Sequence, residues 1–560
     1  MSLRTLYQTL LDSDLGRLRV IAQQWEIPFT AERRPDLAAL LADGMAHAEA
    51  VERAWLALPP EPRAALEDLL RRGGSVPWAI FARHWGQVRV VGPGRLEREE
   101  LWRDPVSPAE ALWYWGFLQR SFVDGATVPV EVAFVPEDLR LYLPELPPLE
   151  VSLPEATAPP LRVAAGNDGL GDELVTLWAY LQNNLVRPLE DGSWPLSNRK
   201  KLLRQFREPA ALRLTLVETL SLERGWIRID DRGLLRPNPE PVLEWLQSDR
   251  WEQWKGLAHA WEESSRWNDI TVVPTLYCDS LADWPGSPQV ARRNVLATLH
   301  YCRPGVWYAL DELVDYMRVY SPDFLRPDGN YDSWRLRDAL TKAPLRGFES
   351  WDAVEGALLV FLLTGPLAWL GLVDLGSNAL YLPPEAVRLT AAGAAFLELG
   401  DPPELPTPPM AQIQPDGLIT VPQGRRYEQF QLCRIAQPEG QGVSGQYRLT
   451  PHSLSRARNQ RISLERILEF LEQATTEPLP EMLRKAIEQG YQGGDVVRLE
   501  QSWVLRVPDP ALLEQEEVRS LIQERLGPQV ALIREAERER LLLYLLESGV
   551  LPEIEESIDR

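Results

Sequence analysis

Apolar residues recur along this chain in one repeated order, with helix-type spacing first and strict alternation with polar residues afterwards. In residues 51–143, three helical patterns precede an alternating segment that places Val128, Val130, Val132 and Phe134 on one face. Apolar residues three and four positions apart predict helices that bury one face, and alternation after the Asp-Gly turn signal predicts a hairpin. Three helices followed by a hairpin predict a winged-helix module in residues 51–143.

The same order occurs twice more. In residues 169–290, a helix with Leu174, Leu177, Trp178 and Leu181 on one face leads through two more helical patterns to a strand-turn-strand segment. In residues 291–400, the helices enclose an insertion and end in two apolar runs about a Gly-Ser-Asn turn. We therefore predict a second winged-helix module with a helical extension, and a third with an insertion.

Two helix starts are predicted from their capping residues. Ser107 stands before Pro108, with Glu110 at the third helical position, which is the pattern of a capping box with a proline that preorganises the first turn. Ser350 precedes a strongly apolar helical run, with Asp352 in the favourable first turn, and is predicted as the N-cap of that helix.

The remaining segments connect or flank these modules. Residues 1–50 predict a helical hairpin that loosely resembles a SAP-type DNA-binding motif, although a plain hairpin that caps the next domain explains the pattern better. Residues 144–168 and 401–411 are rich in proline, which forbids helix continuation and favours extended connectors, so both are predicted to be linkers.

The segment 412–560 changes character and carries a family resemblance. It contains PDGLITVP and YRLTPHSLSRARNQRISLERILEFLEQATTEPLP, with Thr450 and Pro451 starting one helix and Ser463 capping the next, and it ends in an acidic helical tail. These motifs resemble the helicase-associated domain shared with the N-terminus of XPB-type helicases. Upstream runs such as PVEVAFVPEDL and RPDGNYDSW resemble motor-less prokaryotic proteins that carry that domain.

The resemblance and the patterns together give a fold class. We expect an α+β chain, predominantly helical, with tandem winged-helix domains followed by an XPB-N-terminal-like α/β domain. In the transcription and repair complex TFIIH, the subunit that clasps XPB has a similar layout. The resemblance therefore implies a partner or regulator of a DNA-dependent motor.

The chain lacks the residues of a nucleotide-driven motor. Such motors need a glycine-rich loop that ends in Gly-Lys-Ser/Thr to hold the phosphates, and an acidic box for magnesium. The sequence contains neither a Gly-Lys dipeptide nor a DEAD-like box. Its three cysteines stand singly, without the spacing of a metal site. We predict no enzymatic activity, no catalytic residues, no cofactor and no metal.

Net charge argues against DNA contact over the whole surface, so any such contact must be local. The formal charge is −22, and an acidic chain repels phosphate backbones on average. Two basic clusters are the candidate nucleic-acid-binding residues, although either could be only a solvated face and the second could equally bind an acidic protein. They comprise Arg199, Lys200, Lys201, Arg204 and Arg207, and then Arg456, Arg458 and Arg461.

Tryptophans between residues 245 and 267 offer a further possibility. A row of aromatic rings can stack the bases of a single strand. The helical spacing of Trp251, Trp254 and Trp261 instead favours one buried helix face, and Trp245 and Trp267 flank it. We predict a structural role for this group.

Three functional hypotheses follow. The first is a non-enzymatic DNA-transaction accessory protein whose partners are DNA, a DNA helicase or a nuclease, and the second is a protein-interaction scaffold whose winged helices do not contact DNA. The third is an enzyme with an unrecognised site. The N-terminus lacks the apolar region of a signal peptide, and the densest apolar run, Ala357 to Leu363, is shorter than a membrane span of about 18 residues. We expect a cytoplasmic protein without a membrane partner.

Overall fold

The computed structural model divides the chain into two units, Met1–Arg484 and Lys485–Arg560. The predicted turn residue Gly125, the alternating residue Val128 and the tail residues 555–560 lie outside the described residues. The described residues are 4–30, 32–124, 129–147, 154–190, 192–278, 286–379, 382–439, 445–493 and 503–554.

The N-terminal part of the first unit packs helices against a small antiparallel sheet. Its strands are β1 Ser75–Pro77, β2 Gln119–Val123 and β3 Val130–Phe134, with β3 in the centre. Leu10, Leu66 and Phe117 are fully buried in its core, so the first helices share that core with the following ones. The helices are α1 Leu6–Leu11, α2 Leu15–Gln24, α3 Arg34–Met45, α4 Ala48–Ala57, α5 Pro60–Arg71, α6 Trp78–Trp85, α7 Pro93–Glu99, α8 Pro108–Trp115 and α9 Glu137–Arg140.

Helix α8 begins as predicted, but only half of the capping box forms. The Ser107 hydroxyl accepts a hydrogen bond from the backbone N–H of Glu110 at 3.0 Å. The Glu110 carboxylate does not return to Ser107; it accepts from the backbone N–H of Val106 at 2.8 Å and from the Arg89 guanidinium at 2.6 Å. The Glu110 side chain is fully buried, and a buried carboxylate is stabilised more by a cation than by one further N–H.

A second, larger core follows in the first unit, and its buried residues, from Leu170 to Ala394, form one connected cluster. The segments predicted as two modules, 169–290 and 291–400, therefore contribute to one core. Its helices are α10 Gly169–Asn183, α11 Leu196–Leu203, α12 Ala211–Glu223, α13 Pro239–Gln247, α14 Arg250–Glu263, α15 Pro288–Leu299, α16 Leu310–Tyr320, α17 Ala357–Thr364, α18 Pro366–Trp369 and α19 Ala391–Phe396.

Three small sheets border this core. Their orders are β4-β11-β12-β8, β10-β9-β7 and β5-β6. Strand β4 lies inside the proline-rich stretch that predicted a linker, and its backbone pairs with β11 through the register Ala164 to Leu375. The strands are β4 Arg162–Ala164, β5 Ile227–Ile229, β6 Leu235–Pro237, β7 Leu276–Cys278, β8 Trp307–Ala309, β9 Leu336–Asp338, β10 Pro344–Leu345, β11 Val373–Ser377 and β12 Ala386–Leu389.

The tryptophans between residues 245 and 267 form part of this core. Trp245, Trp254, Trp261 and Trp267 are all buried, and Trp251 packs half-buried against them. The predicted structural role is confirmed, because rings that are already packed against protein offer no face for stacking with bases.

The apolar run near residue 350 begins differently from the prediction. Ser350 is not an N-cap: it lies in a 3₁₀ turn, Phe348–Ser350, and its hydroxyl donates to the carbonyl of Arg346 at 2.7 Å. A π-helical turn, Asp352–Gly356, follows before α17 starts. Glu355 lies within this wider turn, is fully buried and pairs with the buried Arg326 at 2.6 Å.

This helical stretch also corrects the expectation about membrane spans. Phe348–Trp369 comprises 22 residues with a mean hydropathy of 1.4 and is long and apolar enough to cross a membrane by those two criteria. The expectation considered only the uninterrupted apolar run. Because 67% of the apolar window is buried inside the protein, the stretch has the character of a core helix.

The last part of the first unit contains a four-stranded antiparallel sheet of order β13-β14-β16-β15. The predicted caps are confirmed: the Thr450 hydroxyl accepts from the N–H of Ser453, with Pro451 at the first helical position, and the Ser463 hydroxyl accepts from the N–H of Arg466. The elements are β13 Gln412–Ile413, β14 Leu418–Thr420, α20 Arg426–Ile435, β15 Gln437–Pro438, β16 Gln446–Arg448, α21 Pro451–Asn459, α22 Leu464–Ala474 and α23 Glu481–Gln492, within which the division between the units falls.

The second unit is small and has its own core. A sheet of order β17-β19-β18 packs with helices around Val518, Ala531 and Ile533. Leu541 and Leu545 of the acidic helical tail are buried in this core. The elements are β17 Trp503–Arg506, α24 Ala511–Glu514, α25 Glu516–Leu521, β18 Ile522–Gly527, β19 Val530–Ile533 and α26 Arg538–Glu547.

Candidate nucleic-acid interface

Helix α20 packs directly on α10, and one buried arginine fixes their contact. Arg426, at the first position of α20, is 2% exposed. Its guanidinium donates to the Asp172 carboxylate at 2.8 Å, to the Asp168 carboxylate at 2.9 Å and to the Gln253 side chain at 2.9 Å. Two carboxylates and an amide satisfy most of its donors, so the segment that begins near residue 412 is joined firmly to the preceding core.

A glycine makes room for this arginine. A Cβ atom at Gly171 in the first turn of α10 would lie 2.6 Å from Cζ of Arg426, which is closer than carbon atoms approach without displacement. Glycine within a helix is otherwise unfavourable relative to alanine. Gly171 therefore permits the close approach of the guanidinium to the helix backbone.

Next to this junction lies a cleft of about 440 Å³. Its walls come from α10, α11, α20, α21 and the strands β15 and β16. Three lining residues are charged, Lys201, Arg204 and Arg456, and there is no Asp or Glu among the described residues that line it. In a chain of net charge −22, a concave site of one positive sign concentrates anions locally. We call it the basic cleft.

Arg456 is held in the wall of the basic cleft by the end of α20. Its Nη2 donates to the carbonyl oxygens of Cys433 and Ala436 at 3.1 and 2.8 Å, where the last carbonyls of a helix favour a cation. Its Nε is buried without a hydrogen-bond partner, as is Oδ1 of Asn183 on α10. Burial lowers the pKa of the Arg456 guanidinium, but from a value high enough that the group stays cationic at neutral pH.

Two further lining groups are uncharged at neutral pH. Burial raises the pKa of the Cys433 thiol to about 11, and it raises the pKa of the Tyr447 phenol well above its usual value. Neither group supplies an anion or an activated nucleophile at neutral pH. The chemistry of the basic cleft is therefore that of a binding site, with cations, neutral hydroxyl groups and carboxamides.

One member of the first basic cluster is paired within the protein, and the other four members are exposed. Arg199 does not point to solvent: it pairs with Glu218 at 2.7 Å and donates to the Thr215 hydroxyl at 2.7 Å. Burial raises the pKa of Glu218 to about 7 against the opposing effect of Arg199. The other four members are exposed, and Arg207 additionally contacts Gln423; these four are Lys200, Lys201, Arg204 and Arg207.

The second cluster surrounds the end of α21. Arg456 faces the basic cleft, whereas Arg458 and Arg461 are exposed and do not line it. Arg461 has a φ of 62°, in the left-handed region, where it ends the helix. The structure thus brings Lys201 and Arg204 of the first cluster together with Arg456 of the second.

Sequence reasoning did not identify the polar lining of the cleft. Six carboxamides contribute to it, and no spacing or motif connects them; they are Asn183, Asn184, Gln205, Gln429, Gln437 and Gln446. The only available signal was the pair of basic clusters, which lie far apart in sequence. No group of three or more His, Cys, Asp or Glu side chains is placed to hold a metal ion in the described part of the chain.

Comparison with known families finds one match. Residues 412–527 match the family described as helicase conserved C-terminal domain. The match starts at the residue predicted to open the last domain, and it includes α20, β15, β16 and α21, which form one side of the basic cleft. Comparison with curated proteins finds no match. The matched domain indicates a helicase-associated protein with a helicase-related role.

Proposed function

We propose that this chain is a non-enzymatic accessory protein of DNA transactions, and that it binds the nucleic-acid backbone at the basic cleft. The convergence of Lys201, Arg204 and Arg456 carries the proposal, since cations from two distant segments meet in a concavity whose described lining residues include no Asp or Glu. Phosphate contacts of this kind supply most of the affinity of non-specific DNA binding.

The domain composition supports the same role. In residues 51–143, the helices α5, α6, α7 and α8 precede the hairpin β2–β3, and helices followed by a hairpin are typical of winged-helix modules. The segment 412–527 resembles domains that accompany helicases. We propose tandem winged-helix modules and an XPB-N-terminal-like domain, a cytoplasmic location, and a helicase or nuclease as protein partner.

Reversal of two cleft charges tests the DNA contact. The double variant Lys201→Glu, Arg204→Glu should weaken binding to a blunt DNA duplex by at least about tenfold at low salt, and it should make the dependence of affinity on salt less steep. Both side chains are exposed, so folding should be unaffected. Fluorescence anisotropy with a labelled duplex at several salt concentrations measures both effects.

A matched control distinguishes loss of binding at the cleft from loss of binding caused by the change in net charge. The double variant Lys255→Glu, Arg293→Glu makes the same change of charge at positions that do not line the cleft. It should bind DNA nearly as well as the parent protein. Equal loss in both variants would show that binding follows total charge and would reject the basic cleft as the contact.

The lack of a nucleotide-binding motif gives a second expectation. The purified chain should not hydrolyse ATP above background, with or without DNA, because it has no Gly-Lys-containing phosphate loop. A coupled assay of phosphate release, with an active helicase as positive control, measures this. ATP hydrolysis that still elutes with the chain after a second chromatographic step would contradict the non-enzymatic assignment.

The high negative charge favours a protein-interaction scaffold as the second candidate function. A surface with net charge −22 disfavours long contacts with phosphate backbones. If the parent protein shows no DNA binding at low salt but captures a helicase or nuclease, the scaffold function replaces the first proposal.

A further inference from the structure

The basic cleft contains carboxamide side chains that a contact with the phosphate backbone does not require. Backbone phosphates are held by cations, whereas carboxamides form paired hydrogen bonds with the edges of bases. Six of the residues that line the cleft are Asn or Gln; four of these side chains also hydrogen-bond within the protein, which leaves the carboxamides of Gln205 and Gln446 available to a ligand. Such a lining is suited to a ligand that has both an anionic group and a polar, uncharged edge.

Several polar groups around the cleft lack partners. The carboxamides of Gln205 and Gln446 make no hydrogen bond to the residues that the structure describes. Oδ1 of Asn183 and Nε of Arg456 are buried and also have none. Buried polar atoms are nearly always satisfied in folded proteins, so the two buried atoms, beside the half-buried carboxamides of Gln205 and Gln446, point to a ligand that pairs with groups in this cleft.

The size of the cleft limits what can enter. Its volume of about 440 Å³ lies within the range of small-molecule sites. A ligand of about the size of one nucleotide belongs to this class, and a duplex can still contact the cations of the cleft through its backbone. Enzymes and binding proteins that read a single base take it out of the stack.

We propose that the basic cleft binds one unpaired nucleotide of a DNA strand, with its phosphate against Lys201 and Arg204 and its base against the carboxamides of Gln205 and Gln446. This inference rests on the proposed function and names the part of the nucleic acid that is recognised. A protein of this kind prefers DNA with a single-stranded extension or an unpaired base over a blunt duplex.

Two DNA hairpins test the inference with the full chain. They share one stem and one fluorescent label, and one of them carries a short single-stranded extension. Anisotropy titrations at one salt concentration should give about tenfold tighter binding of the extended hairpin, the factor expected when a single base is paired by hydrogen bonds. The variant Gln205→Ala, Gln446→Ala should remove this preference, because it should weaken binding of the extended hairpin more than binding of the blunt one.

The exposed residue Gln247 supplies a matched control, because Gln247→Ala removes a carboxamide outside the cleft and should keep the preference. Equal affinity for the two hairpins would overturn the nucleotide site while leaving the proposed function intact. The nucleotide site would also be overturned if Gln205→Ala, Gln446→Ala weakened the binding of both hairpins by the same factor. If neither hairpin binds, the proposed function and the inference fail together.

Discussion

Replacing Arg326 with methionine should lower the free energy of unfolding by roughly 3–5 kcal/mol, the usual cost of leaving a buried charge without its partner. Arg326 is 2% exposed and Glu355 is fully buried. The Arg326 Nε donates to Oε1 of Glu355 at 2.6 Å, and Nη1 donates to the carbonyl of Tyr331 at 2.9 Å. Urea denaturation followed by tryptophan fluorescence measures the loss.

An exposed ion pair near the start of the same helical stretch provides the control. Arg318 pairs with Asp352 at 2.8 Å, but its side chain is 41% exposed and that of Asp352 is 59% exposed. Exposed pairs contribute about 0–1 kcal/mol, so Arg318→Met should have a small effect. Equal losses for Arg318→Met and Arg326→Met would show that burial of the Arg326–Glu355 pair does not matter for stability.

The Arg326→Met variant should also lose stability with rising pH over a wider range than the parent. Burial raises the pKa of Glu355 to about 7 even with Arg326 beside it, and removal of that cation raises it further. A carboxyl whose folded pKa exceeds its unfolded value of about 4.3 contributes stability below that value and loses it as pH rises through the folded pKa. In the parent this loss is complete soon above pH 7, whereas in the variant it continues, so the difference between the two should grow from pH 7 to pH 9.

Local signals could be predicted from the sequence because their causes lie within a few residues. Thr450 and Ser463 cap helices by accepting hydrogen bonds from N–H groups three positions on, and Ser107 does the same. The tryptophan face of α14 follows from helical periodicity alone. The matched segment begins at residue 412, where composition changes after the proline-rich stretch.

Long-range pairing explains what the sequence could not predict. Glu110 completes no capping box because Arg89 competes for it, and Glu355, in the turn that follows Ser350, pairs with Arg326, which lies 29 positions earlier. The basic cleft is of the same kind: its walls come from segments on either side of a long intervening chain. Spacing within one segment carries no information about such a partner.

Arg426 also has a partner that is distant in sequence, and its replacement is the second substitution with a large expected loss of stability. In the sequence it follows Arg425, and its partner Asp172 lies 254 positions away. Arg426→Met should cost roughly 3–5 kcal/mol, because it removes the buried cation from the largely buried Asp172 carboxylate, which keeps the hydrogen bond from the N–H of Gly424. Arg224 is the control, since its side chain is 36% exposed and pairs with that of Glu263, which is 64% exposed, at 2.7 Å. Arg224→Met should cost about 1 kcal/mol or less.

Substitution of Gly171 by alanine tests the same contact without removing any polar group. In an ordinary helix interior this change stabilises by about 0.5–1 kcal/mol, but here the new Cβ would lie 2.6 Å from the Arg426 guanidinium, so Gly171→Ala should destabilise. In the Arg426→Met background a flexible thioether replaces the rigid guanidinium, and the same change should cost less or become favourable. A double-mutant cycle by urea denaturation measures this coupling. Additive effects would mean that Gly171 and Arg426 act independently. If the two effects are coupled, and if Gly171→Ala also weakens binding of a blunt duplex, then the junction of α10 and α20 also shapes the basic cleft.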